Sequence, residues 1–166
     1  MTTANGGERH NRDLPLRHAL ATLVYRAAKT LRGAPADFSS FRPGIEARSA
    51  GEILAHLCDL MDWVLSQARG AERWRNSKPD AWTADMERFF AAATAFDEYL
   101  ASGEALHASP EKLFQGAIAD SLTHVGQIAM LRRLAGAPVR GENYSAAKIE
   151  TGRTGADQNP PVREFD

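Results

Sequence analysis

The chain has 166 residues, 43% hydrophobic and 25% charged, enough for one domain with a substantial core and too few for two ordinary ones. Its 20 Lys and Arg against 21 Asp and Glu give a formal net charge of -1, so no global field draws it to a nucleic-acid backbone or an anionic membrane. The single cysteine, Cys58, excludes an intrachain disulfide framework and a cysteine-rich zinc site, and fits a reducing cytoplasm. Residues 1–13 are polar with no apolar centre, unlike a signal peptide, and no uninterrupted apolar run approaches the ~18 residues that span a bilayer. A cytoplasmic location is expected.

Four segments have helical periodicity and none alternates as a strand does. The first runs from about Leu14 to Leu31, with Asp13 as N-cap, Pro15 near the first turn, and Leu16, Leu20, Leu23, Val24, Ala27 and Leu31 on one side. The second opens at Ser49-Ala50-Gly51-Glu52, a capping-box pattern, and carries Ile53, Leu57, Leu60, Met61 and Val64. The third follows Trp82 and Thr83, with Met86, Phe89, Phe90, Ala93, Phe96 and Leu100 as its apolar face and Gly103 after its end. The fourth is the longest: Ser109 caps it, Pro110 takes the first helical position, and Gly136 with Pro138 closes it.

Four amphipathic helices in one small domain predict an all-α fold, a four-helix bundle over 13–136. The segment from Gly33 to Arg48 reaches ~50 Å when extended, more than the ~30 Å of a 20-residue helix, so it is long enough to cross the bundle. Residues 137–166 form an irregular tail, read as packing on the bundle or partly disordered. Ile118, Leu122, Val125 and Ala129 make a second apolar stripe on the fourth helix, from which a homodimer is expected.

Chemistry concentrates on two helices. At 100° per residue, Asp120 and His124 of the fourth helix share an arc with Leu113, Ala117, Ile128 and Leu131. Their i, i+4 spacing puts the side chains ~6 Å apart at Cβ, so both can converge on one metal ion, or they can simply form a hydrogen-bonded pair. His56 lies at the edge of the second helix's stripe, either as a hydrogen-bonded boundary residue or as a third ligand from a facing helix. Two imidazoles and one carboxylate would leave coordination positions open. Glu52 is a cap first and a fourth ligand or general base second. Asp59 is a solvated helix residue or an acceptor from an imidazole, and Trp63 is a pocket wall or plain packing. Cys58 is a small buried residue without a role, and His10, His18 and His107 lie near segment ends.

Ile53-Leu54-Ala55-His56 with Asp59 and Trp63, then Thr123-His124-Val125-Gly126-Gln127 and Leu131-Arg132, resembles the DinB/YfiT-like superfamily of metalloenzymes. The resemblance covers roughly residues 14–136. It implies a four-helix bundle in which a histidine of the second helix and a His-x-x-x-His pair of a later one hold a divalent transition metal, commonly zinc or nickel. His56 matches the first ligand and His124 the last, and Gln127 lies beside the site. Asp120 stands where the family usually has histidine, so the ligand remains competent but offsets one unit of the cation's charge. The implied activity is S-transfer with a low-molecular-weight thiol or hydrolysis, on a small-molecule substrate and without nucleic acid or membrane. A non-catalytic bundle that binds a small ligand or a metal is the alternative.

Overall fold

The computed structural model describes residues 6–165, with side chains from Leu14 onward. Its helices are α1 (Gly6–Leu31), α2 (Ala50–Ala68), α3 (Trp82–Ser102) and a fourth built in three pieces: α4 (Pro110–Leu113), a π-helical turn (Phe114–Ile118) and α5 (Ala119–Leu134). The only sheet among the described residues pairs β1 (Gly141–Glu142) with β2 (Glu164–Phe165), antiparallel. The protein is therefore an all-α bundle, and no described helix is long and apolar enough to cross a membrane.

The apolar stripes of the sequence form the core. Leu20, Leu23, Val24 and Leu31 of α1, Leu57, Met61 and Val64 of α2, and Phe89, Phe96 and Leu100 of α3 are buried together. Each such side chain contributes about 1.5–3 kcal/mol on leaving water. One boundary differs from expectation: α1 begins at Gly6, so Asp13 is not its N-cap and Pro15 lies inside the helix. A proline in the interior withholds one backbone hydrogen bond, and here the helix continues across that gap.

α1 and α2 both pack on α3 and on the fourth helix, and make little contact with each other, so they lie diagonally opposite. The Gly33–Arg48 connection joins these two diagonal helices and is pinned by Phe38, buried against Phe41 and Trp82. A full-length return occurs elsewhere. α2 and α3 run in the same direction, since the Cys58 thiol at the middle of α2 donates to the Asp85 carbonyl near the start of α3 and the Tyr99 hydroxyl near the end of α3 donates to the Ala68 carbonyl at the end of α2. The chain from Arg69 to Ala81 must come back along α2, and α2 holds it throughout. Trp63 Nε1 donates to Glu72 at 3.0 Å, the Arg73 amide to Ser66 Oγ at 2.9 Å, and the Ser77 amide and hydroxyl to Asp59 at 2.8 and 2.7 Å. Gly51 permits the closest approach at the far end, because a Cβ there would collide with Ser39 and press on Pro79.

Arg132 ties the fourth helix to the end of α1. Its guanidinium donates to the carbonyls of Thr30, Arg32 and Gly33 at 2.6–3.0 Å, and Nε donates to Ala137 at 3.0 Å. The first three include carbonyls left without helical partners where α1 stops, so one buried cation satisfies three acceptors at the negative end of that helix dipole and a fourth just past the end of its own helix. The tail is attached to the same helix farther along. Glu142, buried, accepts from the Tyr25 hydroxyl at 2.7 Å and from Lys29 Nζ at 2.9 Å, while Lys29 also bonds Glu164 at 2.7 Å. Burial and the Glu142 carboxylate push the Tyr25 hydroxyl above its usual range, which keeps it a donor. Tyr144 adds its ring, with the Arg26 guanidinium 4.1 Å above the centroid.

Arg132→Ala leaves these carbonyls without their donor and is expected to cost about 3 kcal/mol in urea unfolding, with Arg132→Lys recovering only part because an ammonium lacks the planar fork. Asp59 gives a pH signature. Burial raises its carboxyl, but the Ser77 amide and hydroxyl and the Arg88 guanidinium outweigh that and hold it below the ordinary carboxylate value. A depressed folded-state value stabilises above the unfolded pKa of ~3.9, and the contribution is lost as pH falls through the folded value. Asp59→Asn should therefore be about 2 kcal/mol less stable than the parent at pH 7, and the gap should close below about pH 4.

Candidate metal centre

His56 is fixed by the start of α2. Ser49 Oγ accepts from the Glu52 amide at 3.2 Å and Glu52 Oε2 accepts from the Ser49 amide at 2.6 Å, a complete capping box. Glu52 also meets Arg42 at 3.3 Å. Its carboxylate is spent on the helix end, and the Ser49 amide holds its pKa below the usual value.

The fourth helix supplies the other two residues by a route that periodicity alone misses. At Ala119 the amide bonds the carbonyl of Phe114, five residues back, so the π-helical turn inserts one extra residue and rotates everything after it by about 100° relative to an unbroken helix. Before the turn the core receives Leu113, and within it Ala117. From its last residue onward the buried positions are Ile118, Ser121, Val125, Ile128, Leu131 and Arg132. The expected dimer stripe is thereby used inside the bundle, with Ile118 and Val125 in the core and Leu122 packed against it. Asp120 and His124, expected at the centre of a core-facing stripe, move to its rim, where the Asp120 side chain is 44% and the His124 side chain 12% exposed.

At that rim they meet His56. Asp120 Oδ2 is 3.6 Å from His56 Nε2 and 3.5 Å from His124 Nε2, the imidazole centroids are 4.7 Å apart with planes at 86°, and one ligand atom from each residue lies within 4.8 Å of the others. Tetrahedral ligands at ~2.0–2.2 Å from an ion are about 3.4 Å from one another, so both carboxylate-to-imidazole separations already fit one ion. Gln127 Oε1 lies 2.8 Å from His124 Nδ1. An oxygen acceptor there places the proton on Nδ1 and leaves the Nε2 lone pair directed at the cluster. Burial, His124 and Arg48 together lower the His56 pKa against the opposing pull of Asp120, which favours the neutral, ligating imidazole.

An aromatic wall closes one end of the site. The Trp74 ring stands edge-on to His56 at 5.6 Å and to Trp63 at 5.7 Å, and Trp63 covers Gly116. Trp63 is thus a wall behind Trp74 rather than a contact of the cluster. Sequence reasoning passed over Trp74, which lies on the returning segment where no periodicity exists. Asp59 is neither solvated nor an acceptor from an imidazole: it is buried, and Ser77 and Arg88 take its oxygens, because the returning segment covers that side of α2. Burial pushes the Cys58 thiol up to about 12, so it is inert. His18 contacts Thr151 at 3.2 Å and His107 is exposed beyond the end of α3, both outside the cluster. The His10 side chain lies outside the described residues.

Comparison with family models, with curated proteins and with solved structures finds no match to this chain. The site is read on its own chemistry.

Gln127 and Glu52 separate orientation from capping. Gln127→Ala frees the His124 ring and should weaken zinc binding about tenfold with little change in stability. Glu52→Gln should leave zinc affinity unchanged and cost about 1 kcal/mol of stability. Zinc titration by calorimetry, paired with urea unfolding, reads both.

Proposed function

We propose that the protein is a metal-dependent enzyme of the DinB/YfiT-like kind, holding one divalent transition ion through His56, Asp120 and His124. The observation that carries this reading is the convergence of one carboxylate oxygen and two imidazole nitrogens from different helices at the spacing of a single coordination sphere. Zinc or nickel suits an imidazole-rich set of this kind. Such an ion, when bound, supplies a Lewis acid that lowers the pKa of a thiol or a water.

The residues around the cluster divide the work. Gln127 fixes the His124 tautomer and ring plane. Trp74 stands against the edge of His56 from the side of the returning segment. Asp120, the most exposed of the three, faces solvent, so the open side of the cluster is where a substrate enters. Three protein ligands fill three positions of a typical sphere and leave the remainder for substrate, as catalytic sites do. The proposed reaction class is S-transfer with a low-molecular-weight thiol or hydrolysis.

Protein purified without a polyhistidine tag and offered zinc, nickel, manganese and iron in turn should bind one equivalent of at least one of them. His56→Ala and His124→Ala should lose most of the bound metal, Asp120→His should retain it, and His107→Ala should change nothing. Failure of the parent protein to bind any of the four stoichiometrically would make the triad a polar surface network and remove the enzyme reading.

A further inference from the structure

Beside the triad, with neither Trp63 nor Trp74 in its lining, a groove of about 520 Å³ opens between the end of the Gly33–Arg48 connection, the first turn of α2 and the last turns of α5. Ile53 and Leu131, nearly buried at 4% and 6%, form its base, and Met130 and Leu134 stand exposed at 56% and 57% along its edge. His124 and Gln127 belong to the same lining, so the groove is continuous with the candidate metal centre. Exposed methionine and leucine side chains over an apolar base, in a cavity of small-molecule size, are the ordinary make-up of a ligand site.

The charge at this groove is one-sided. Arg48 lines it and makes no ion pair or hydrogen bond with the described residues. Glu52, whose charge it feels, is engaged by Arg42 and by the Ser49 amide. Arg48 is close enough to the triad for its charge to act on His56. An uncommitted guanidinium beside an apolar trough and next to a cation site favours an anion and disfavours a cation.

We infer that this groove binds a small amphipathic anion, its apolar body lying along Ile53, Leu131, Met130 and Leu134 and its carboxylate or equivalent anionic head paired with Arg48 beside the triad. This inference builds on the metal-dependent reading by naming the substrate class of the same site. An aliphatic or aromatic acid with a reactive bond near its acidic end fits this description, since the head at Arg48 brings that bond to the His124 side of the cluster.

The test uses octanoate, octanol and octylamine as probes of equal length and different charge, titrated by calorimetry into the full-length protein in zinc-loaded and metal-free form. Octanoate should bind about fivefold or more tighter than octanol, and octylamine should bind weakest. Arg48→Gln should bring octanoate down to the level of octanol, and Leu134→Glu, an exposed and fold-sparing change, should lower octanoate affinity about tenfold while zinc affinity stays at the parent value. Equal binding of the three probes, no octanoate binding in either form, or insensitivity to Arg48→Gln would each overturn the assignment. The two readings fail separately: octanoate binding that depends on Arg48 in a protein that takes no metal supports the groove and removes the metal centre, whereas stoichiometric zinc without octanoate binding does the reverse.

Discussion

A single extra residue in the fourth helix determines where the candidate metal centre lies. The π-helical turn at Phe114–Ile118 gives up regular i to i−4 hydrogen bonds for one longer closure and turns the rest of the helix about its axis. In an unbroken helix, Leu113, Ala117, Asp120 and His124 would all face the core, and a carboxylate with an imidazole would have to be buried there at a cost of several kcal/mol. With the turn, the core takes Ile118, Ser121 and Val125 instead. Asp120 and His124 are delivered to the rim, beside His56. The helix packs a largely apolar face, broken by Ser121 and Arg132, and still presents two candidate ligands, which a straight helix of this sequence would not do.

That rotation needs fixed ends to be meaningful, and both are fixed by polar side chains. Arg132 locks the far end of the fourth helix to the carbonyls where α1 stops. On α2, the capping box sets where helical geometry begins and so the direction of His56. The third constraint is the return from α2 to α3, held by Asp59 and its hydrogen bonds to Ser77, which lays Trp74 against His56. The candidate centre is thus assembled from two helices and an irregular segment, each anchored by a charged group that takes no part in the cluster.

Much of this was legible in the chain. The four stripes, the Ser49–Glu52 cap, the Ser109-Pro110 start and the trio of His56, Asp120 and His124 follow from periodicity and spacing, because amphipathic helices and their caps are local properties. The N-terminal boundary was misplaced because Asp13-Leu14-Pro15 has the signature of a helix start while the polar residues before it continue the helix. The second stripe on the fourth helix looked spare only because a uniform 100° per residue was assumed across Gly116, where the π-helical turn lies. Asp59 and Trp74 depend on contacts between α2 and a segment 10 to 20 residues away, and neither composition nor period encodes that pairing. The groove beside the triad was missed for the same reason, since Arg48 and Ile53 at the start of α2 meet Leu134 at the end of α5, some 80 residues away in the chain.

The account depends most on one convergence, that of Oδ2 of Asp120 with the Nε2 atoms of His56 and His124. Anomalous diffraction from crystals of untagged protein soaked in zinc tests it directly. The expected result is one peak within bonding distance, ~2.0–2.2 Å, of all three atoms, with Gln127 still on His124 Nδ1. A peak bonded elsewhere in the protein, or none at the triad at saturating zinc, would contradict it.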